Sequence, residues 1–176
     1  RGAEVTLVLG PTNISVRSGI KIIKIKTAGE MFTASEDVFP DTDIAIMTAA
    51  VADYTPVNIA AEKIKKTEND LTIQLTKTTD ILKTLGSRKK NGQILVGFAL
   101  ETNNEKENAL KKLESKNADM IVLNSLNDTG AGFGHDTNKI TIFDRSGKSY
   151  PFNMKSKKEV AVDIVNSIIN LIHAKI

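Results

Sequence analysis

The chain has 176 residues, of which 40% are hydrophobic and 26% charged, a balance typical of one globular domain. It contains no cysteine, which excludes disulfides, thiolate catalysis and cysteine-ligated metal centres, and its two histidines are too few for a zinc site. A net charge of +3, the absence of a basic stripe with interleaved aromatic residues, and apolar runs well short of the roughly 20 residues of a membrane helix predict a cytoplasmic protein without a nucleic-acid or membrane partner.

The first half of the chain predicts strands and a helix in alternation. In chain order these are a buried strand at 5–9, an edge-type strand at 20–26, a helix at 28–39 that Pro40 ends, and a buried strand at 43–50. The last strand carries no charge after Asp43, which is typical of a parallel strand covered on both faces. Residues 51–66 show no regular period.

The second half continues the alternation. Its predicted elements are an exposed strand at 71–76, a helix at 80–90, buried strands at 94–100 and 120–123, a helix at 104–116 between them, alternating strands at 139–143 and 150–152, and a terminal helix at 156–175. Uncharged strands between helices predict a three-layer α/β sandwich whose sheet is mostly parallel, and the late alternating strands predict a small antiparallel addition. No linker or repeat interrupts the chain, so we expect a single domain over residues 1–176.

Ligands of open α/β sheets bind at the carboxyl ends of the strands, which directs attention to residues 47–54, 97–104 and 123–138. In the first segment, small residues would let a ligand approach the backbone, and Asp53 supplies a carboxylate. An aspartate in an ordinary turn explains Asp53 equally well. In the second segment, Gly97 indicates close approach by a ligand or by backbone, and Phe98 either packs on a nucleoside or belongs to the core.

Two groups of lysines follow these strand ends. The run EKIKK at 62–66 has no helix or strand period, so its lysines suit a cationic lid over a polyphosphate. Lys112 and Lys116 lie four residues apart and would share one face of a helix. Taken alone, both groups are explained as well by solvated charge.

The third segment contains three glycines between Asp128 and Asn138, but their spacing is not G-x-G-x-x-G and a strand follows them, which excludes the dinucleotide fingerprint. It predicts a flexible loop in which Asn124, Asp136 and Asn138 shape a pocket or a subunit contact. The chain also lacks a phosphate-binding P-loop, a G-x-S-x-G elbow and a Tyr-x-x-x-Lys dyad. These absences argue against a nicotinamide-dependent reductase.

Four motifs together resemble the phosphopantothenate–cysteine ligase family over essentially the whole chain. They are AAVADY at 49–54, EKIKK at 62–66, GFALETNN at 97–104 and GFGHDTNK at 132–139. The resemblance is to the bacterial type, in which the ligase is the carboxyl-terminal half of a bifunctional coenzyme A biosynthesis protein. It implies a Rossmann-like fold, a homodimer, and covalent fusion to an FMN-dependent decarboxylase half that alone would hold the flavin.

The implied reaction has two steps. CTP activates the carboxylate of 4′-phosphopantothenate as an acyl-cytidylate and releases pyrophosphate; the amine of L-cysteine then displaces CMP. Mg²⁺ and lysines would screen the anionic reactants. The choice of CTP over ATP depends on backbone groups, and the bacterial-type motifs favour CTP. A non-catalytic α/β nucleotide-binding or assembly module is the alternative.

The resemblance also implies roles for individual residues. Backbone groups of the nucleotide site would come from Met47, Thr48 and Ala49 and from a turn at Thr79, Asp80, Ile81 and Leu82. Asp53 would contact the nucleotide or its metal, and Phe98 would pack against the nucleotide. Lys63 would be catalytic, closing over the triphosphate and stabilising the pentavalent transition state, while Lys112 and Lys116 would hold phosphates.

Two departures from the family pattern stand out. Thr78-Thr79 replaces the Asn-Pro that commonly precedes the aspartate of the turn, and we expect a small effect because the backbone of the turn is still available. In addition, no segment matches the strand, the TxGxT-like loop and the SNxSSG-like segment with which the family's domain begins. We therefore expect the domain to lack its amino-terminal strand, loop and helix, with Arg1 at the end of that helix.

Overall fold

A computed structural model describes residues 2–66, 70–125 and 134–174. The strands are β1 (Thr6–Leu9), β2 (Lys21–Lys24), β3 (Ile44–Met47), β4 (Tyr54–Pro56), β5 (Leu75–Lys77), β6 (Ile94–Glu101), β7 (Met120–Ser125), β8 (Thr137–Asn138), β9 (Ile140–Asp144), β10 (Ser149–Pro151) and β11 (Lys155–Ser156). The helices are α1 (Ala28–Val38), α2 (Ile81–Arg88), α3 (Glu105–Ser115) and α4 (Lys157–His173), with a 3₁₀ turn at Phe39–Asp41. Within the described ranges, none of these helices has both the length and the apolar character needed to cross a membrane.

The chain divides into two compact units. Unit 1 comprises Arg1–Pro40 and Ala50–Ile81, and unit 2 comprises Asp41–Ala49 and Leu82–Ile176. Both units are built from segments that are discontinuous in sequence, because β3 belongs to unit 2 although it lies between two segments of unit 1.

Unit 1 contains a parallel pair, β1 with β2, and an antiparallel pair, β4 with β5. Helix α1 begins at a capping box in which the Thr27 hydroxyl accepts from the Glu30 backbone N–H at 3.1 Å and a Glu30 carboxylate oxygen accepts from the Thr27 N–H at 3.3 Å. The predicted helix at 28–39 is confirmed to within one residue. Strand β4 lies where the sequence showed no period, and β5 starts at Leu75, four residues later than predicted from 71–76.

Unit 2 is a sheet with helices on both faces. Its described strands have the order β10-β9-β7-β6-β3, in which β3, β6 and β7 are parallel and β9 and β10 antiparallel. Val160, Ile164 and Ile168 of α4 pack on one face, and Ala109 and Leu113 of α3 pack on the other. The predicted three-layer α/β class, mostly parallel with a small antiparallel addition, is confirmed.

Strand β3 differs from its prediction. The uncharged run predicted a strand covered on both faces, yet Ile44 is 37% exposed and Ile46 is 41% exposed. Among the described residues, β3 is an edge strand with β6 as its neighbour. An apolar run indicates that its side chains favour burial, but the elements that cover them come from distant parts of the chain. The pattern alone therefore could not distinguish a central strand from an edge strand.

Candidate functional site

Strand β3 ends in unit 2 beside the middle of β6, which continues for four residues more to Glu101. Met47, the last residue of β3, pairs with Gly97 of β6, and the exposed residues Thr48 and Ala49 follow. Phe98 is half-buried and packs against the core beneath α4. The structure therefore places Phe98 next to the point where β3 ends and Thr48 and Ala49 follow, where a ligand could contact backbone and the exposed part of the ring.

Gly97 has a different neighbourhood from the one predicted. A Cβ at this residue would lie 2.6 Å from Leu82 Cδ2 and 2.9 Å from Ile121 Cδ1. The glycine therefore makes room for core side chains rather than for a ligand or backbone, so the interpretation of Gly97 as a ligand-approach position was wrong. It also follows that the Leu82 side chain is committed to packing, which leaves its backbone as the part able to contact a nucleotide.

Helix α3 places Lys112 near the end of β6. Lys112 Nζ lies 3.6 Å from Glu101 Oε1, and the amide Nδ2 of Asn108, one turn earlier on the helix, donates to Glu101 Oε2 at 3.0 Å. Lys116 is the C-cap of α3, where its backbone N–H donates to the Lys112 carbonyl at 3.1 Å. Lys112 therefore lies on α3 and Lys116 at its C-terminal cap, and Glu101 contacts the ammonium of Lys112.

Further polar side chains line the same edge of the sheet. The Ser125 hydroxyl, at the end of β7, donates to Glu105 Oε1 at 2.5 Å. Asn138 Nδ2 donates to Asn124 Oδ1 at 3.0 Å, which unites two residues predicted to shape a pocket. The third, Asp136, is exposed, and residues 126–133 of the predicted loop lie outside the described part of the chain.

Glu101, Glu105 and Ser125 were missed by the sequence reasoning as site residues. Glu101 stands inside the GFALETNN motif, so a signal was available there. No motif in the sequence pointed to Ser125. Its place beside Glu101 follows only from the strand register, in which Glu101 of β6 pairs with Ser125 of β7.

Unit 1 holds the aspartate and the predicted turn. The Asp53 carbonyl accepts from the Thr78 N–H at 2.9 Å, and the Thr78 hydroxyl donates to the Ala52 carbonyl at 2.6 Å. These bonds tie the AAVADY segment to the start of the turn, in which Thr79 and Asp80 are exposed and Ile81 is buried. The Thr78 hydroxyl thus supplies a restraint in a turn that lacks the family's proline.

Lys63 lies in an exposed stretch of unit 1, residues 57–66, that has neither helix nor strand. This agrees with the predicted lysine-bearing loop. In the described ranges, no group of three His, Asp or Glu side chains could hold a metal ion. One exposed carboxylate, Asp53, does suit Mg²⁺ that arrives with a triphosphate, since Mg²⁺ at such sites takes one or two protein carboxylates and fills its shell with phosphate oxygens and water.

The comparison with known proteins identifies the class. Residues 1–172 match the family model described as the DNA/pantothenate metabolism flavoprotein C-terminal domain. The chain belongs to this family, and the resemblance found in its four motifs is confirmed.

Individual relatives sharpen the assignment. The chain is 43% identical to the coenzyme A biosynthesis bifunctional protein CoaBC of Bacillus subtilis (strain 168), over 97% of the chain and 42% of that protein. It is 53% identical to a protein of an unknown prokaryotic organism named cysteine/cysteine sulfinic acid decarboxylase, over 98% of the chain and 48% of that protein. The chain thus spans about half the length of the curated relatives it matches.

A solved structure shows the same fold. The crystal structure of the C-terminal domain of coenzyme A biosynthesis bifunctional protein CoaBC superposes with a TM-score of 0.82 at 38% identity, over 98% of this chain and 76% of that one. The fold of the chain is therefore that of the C-terminal domain of a bifunctional coenzyme A biosynthesis protein.

Proposed function

We propose that this chain is the ligase domain of a bifunctional coenzyme A biosynthesis protein, joining 4′-phosphopantothenate to L-cysteine at the expense of CTP. The observation that supports the proposal is that, in a chain of this family, Lys112 lies at the carboxyl end of β6 while Phe98 of the same strand follows the residue that pairs with Met47, where β3 ends, so that all three lie toward the carboxyl edge of one parallel sheet. That edge is where open α/β sheets bind ligands, and it offers both an aromatic face and a cation.

The chemistry follows from the weakness of a carboxylate as an acyl donor. An oxygen of the 4′-phosphopantothenate carboxylate attacks the α-phosphorus of CTP, a new P–O bond forms and pyrophosphate leaves. The amine of cysteine then attacks the acyl carbon, the C–O bond to CMP breaks, and the nitrogen loses a proton. Both transition states gain negative charge on oxygen, so fixed cations in a site that excludes water accelerate them.

Each candidate residue has a stated role in this proposal. The ammonium of Lys63 closes over the triphosphate and stabilises the negative charge on the oxygens of the pentavalent transition state, and those of Lys112 and Lys116 hold phosphate oxygens. Backbone groups of Met47, Thr48 and Ala49 and of the turn of Thr79, Asp80, Ile81 and Leu82 hold the nucleotide, whose choice as CTP they determine. Phe98 packs against it, and Asp53 contacts it or a Mg²⁺ ion that adds charge neutralisation.

The proposal includes a homodimer. The antiparallel pair of β4 and β5 exposes large apolar side chains: Tyr54 and Leu75 lie on the same face by strand alternation and cross-strand register, and are 54% and 57% exposed. Exposed apolar side chains on one face of a strand pair suit an interaction surface, and the family resemblance makes a second copy the expected partner. The fused half would be a decarboxylase that holds FMN, in a cytoplasmic protein.

One assay tests the reaction. The full-length protein is incubated with CTP, Mg²⁺ and 4′-phosphopantothenate, and pyrophosphate is measured before cysteine is added and CMP afterwards. We expect pyrophosphate release to require 4′-phosphopantothenate, CMP release to require cysteine, and ATP to replace CTP poorly.

Other outcomes identify the alternatives. Nucleotide binding without pyrophosphate release would support a non-catalytic nucleotide-binding or assembly module. Release of CO₂ from cysteine in the absence of nucleotide, with no CMP formed, would instead support the activity in the name of the 53% identical relative.

A further inference from the structure

Glu101 is the last residue of β6 and contacts two successive turns of α3. Its Oε2 accepts from Asn108 Nδ2 at 3.0 Å, and its Oε1 lies 3.6 Å from Lys112 Nζ. The same Asn108 amide also donates to the Asn103 carbonyl at 3.0 Å, which ties the helix to the segment between β6 and α3. Each oxygen of the carboxylate therefore has a different partner on α3.

The carboxylate is well placed to act as an anchor. The Glu101 side chain is 20% exposed, and its backbone is held in register by β7, where Glu101 pairs with Ser125. Lys112, by contrast, is 33% exposed and ends in an ammonium on a flexible four-carbon stem. Such a side chain loses considerable rotamer entropy when it is fixed, and an anchor that limits its rotamers beforehand reduces the loss on ligand binding.

The length of the contact leaves the ammonium able to bind an anion. A separation of 3.6 Å is an ion pair rather than a close hydrogen bond, and an ammonium has three donors. A phosphate oxygen can therefore approach Lys112 while Glu101 still restricts where Nζ lies.

We propose that Glu101 is a positioning residue, which acts through Lys112 by holding its ammonium at the carboxyl end of β6 for an anionic phosphoryl group. The inference rests on the proposed function in one respect, that the anion is a phosphate of the nucleotide. A merely structural role would be to accept the hydrogen bond of Asn108, and a glutamine at this position can still do that.

The test is a double-mutant cycle in the full-length protein with Glu101→Gln, Lys112→Ala and both together. The substitution Glu101→Gln keeps the size and an acceptor for Asn108 but removes the charge that attracts Lys112. We expect it to raise the KM for CTP about three- to tenfold with kcat within about twofold of the unchanged protein. In the Lys112→Ala background it should add no further increase, because the partner through which Glu101 acts is gone.

The matched control is Glu107→Gln. Glu107 pairs with Lys111 at 2.7 Å on the same helix, and both side chains are more than 60% exposed. Its loss should leave the KM for CTP unchanged. An equal rise in KM from Glu101→Gln with and without Lys112 would overturn the proposal, because Glu101 would then act independently of Lys112.

A second readout does not depend on activity. The ¹⁵N relaxation of the Lys112 ammonium gives its order parameter. Glu101→Gln should lower this order parameter and leave the melting temperature of the protein unchanged. Unchanged order overturns the positioning role whatever the kinetics show. If Lys112→Ala leaves the KM for CTP unaltered while Glu101→Gln still lowers the order, the assignment of the nucleotide phosphate to Lys112 fails and not the contact that positions it.

Discussion

Lys63 contributes charge rather than packing. Its side chain is exposed in a stretch without helix or strand, so in the proposed reaction its effect would come from the charge of its ammonium. The neighbouring Lys65 has the same charge and exposure and lies two residues away, which makes it a suitable comparison.

We predict that Lys63→Ala slows cytidylate formation by about two to three orders of magnitude, because one donor to a charged transition state, once the loop has closed over it, is worth that much. The free energy of unfolding should change by no more than about 0.5 kcal/mol, as for other exposed positions. Rapid-quench measurement of acyl-cytidylate and urea unfolding test the two statements. Equal slowing by Lys65→Ala would show that loop charge, and not Lys63, is responsible.

Asp144 is buried at the end of β9 and organises the hairpin that follows. Its Oδ1 accepts from the Ser146 N–H at 2.8 Å and the Ser146 hydroxyl at 2.6 Å, and its Oδ2 accepts from the Tyr150 hydroxyl at 3.0 Å. Burial raises the pKa of the Asp144 carboxyl, but these hydrogen bonds and one from the Lys148 N–H outweigh it, so the net pKa is lowered from the usual 3.8.

A lowered pKa in the folded state means that the unfolded chain takes up the proton more readily. The contribution of Asp144 is therefore fully present above its ordinary pKa and is lost as the pH falls through the lowered one. Asp144→Asn should destabilise the fold by about 1–3 kcal/mol at pH 7, and by clearly less at acid pH below the ordinary pKa. Urea unfolding at both pH values measures the difference. The control Asp37→Asn, at an exposed position of α1, should leave the free energy of unfolding unchanged at both pH values.

At the scale of elements, α2 and the end of α3 meet at Gly86. A Cβ on this residue would lie 1.8 Å from the Lys116 carbonyl oxygen, and Asn117 Nδ2 donates to the Gly86 carbonyl at 2.7 Å. Asn117 adopts a φ of 50°, a left-handed conformation that asparagine tolerates at the end of a helix. The closeness of the two backbones, and not a turn, is therefore what requires glycine inside α2.

We predict that Gly86→Ala destabilises the protein by about 2–3 kcal/mol, because backbone cannot move aside as a flexible side chain can. The same substitution at Gly29, in the first turn of α1, meets nothing closer than Thr27 Oγ1 at 3.9 Å. There it should be neutral or stabilise by up to about 1 kcal/mol through helix propensity. Urea unfolding of both variants decides the matter, and a well-tolerated alanine at Gly86 would refute the contact.

At the scale of the whole molecule, the exposed face of the β4–β5 strand pair that carries Tyr54 and Leu75 predicts association into a homodimer. Leu75 is 57% exposed on that face, and its neighbour Thr76 points to the opposite one. Burying apolar area in a dimer would remove from water a surface that is otherwise unfavourable.

Leu75→Glu should shift the protein from dimer to monomer in sedimentation velocity, because a charge would have to be buried in the interface. Thr76→Glu, with the same charge added one residue away, should leave the dimer intact. If the unmodified protein is a monomer, or if the dimer persists with both substitutions, the β4–β5 strand pair is not the dimer interface.

Much of the fold could be predicted because its signals are local. The helix pattern ended by Pro40, the apolar stripe of α4 and the uncharged runs of β6 and β7 each specify their element within a few residues of chain, and all of these elements are confirmed. Strand β4 and the true start of β5 had no such signal, because a short exposed strand pair is stabilised by hydrogen bonds between the strands more than by the hydrophobic pattern of either strand.

The sequence by itself determined the class of fold, the family and the motifs in which the candidate residues lie. The tertiary structure alone decided that Gly97 accommodates Leu82 and Ile121, that β3 is an edge among the described strands, and that Glu101 meets Lys112. The physical reason is the same in each case. Periodicity and capping act between residues close in sequence, whereas these three features depend on strand register and on which element covers which face, and those are settled only when distant segments pack.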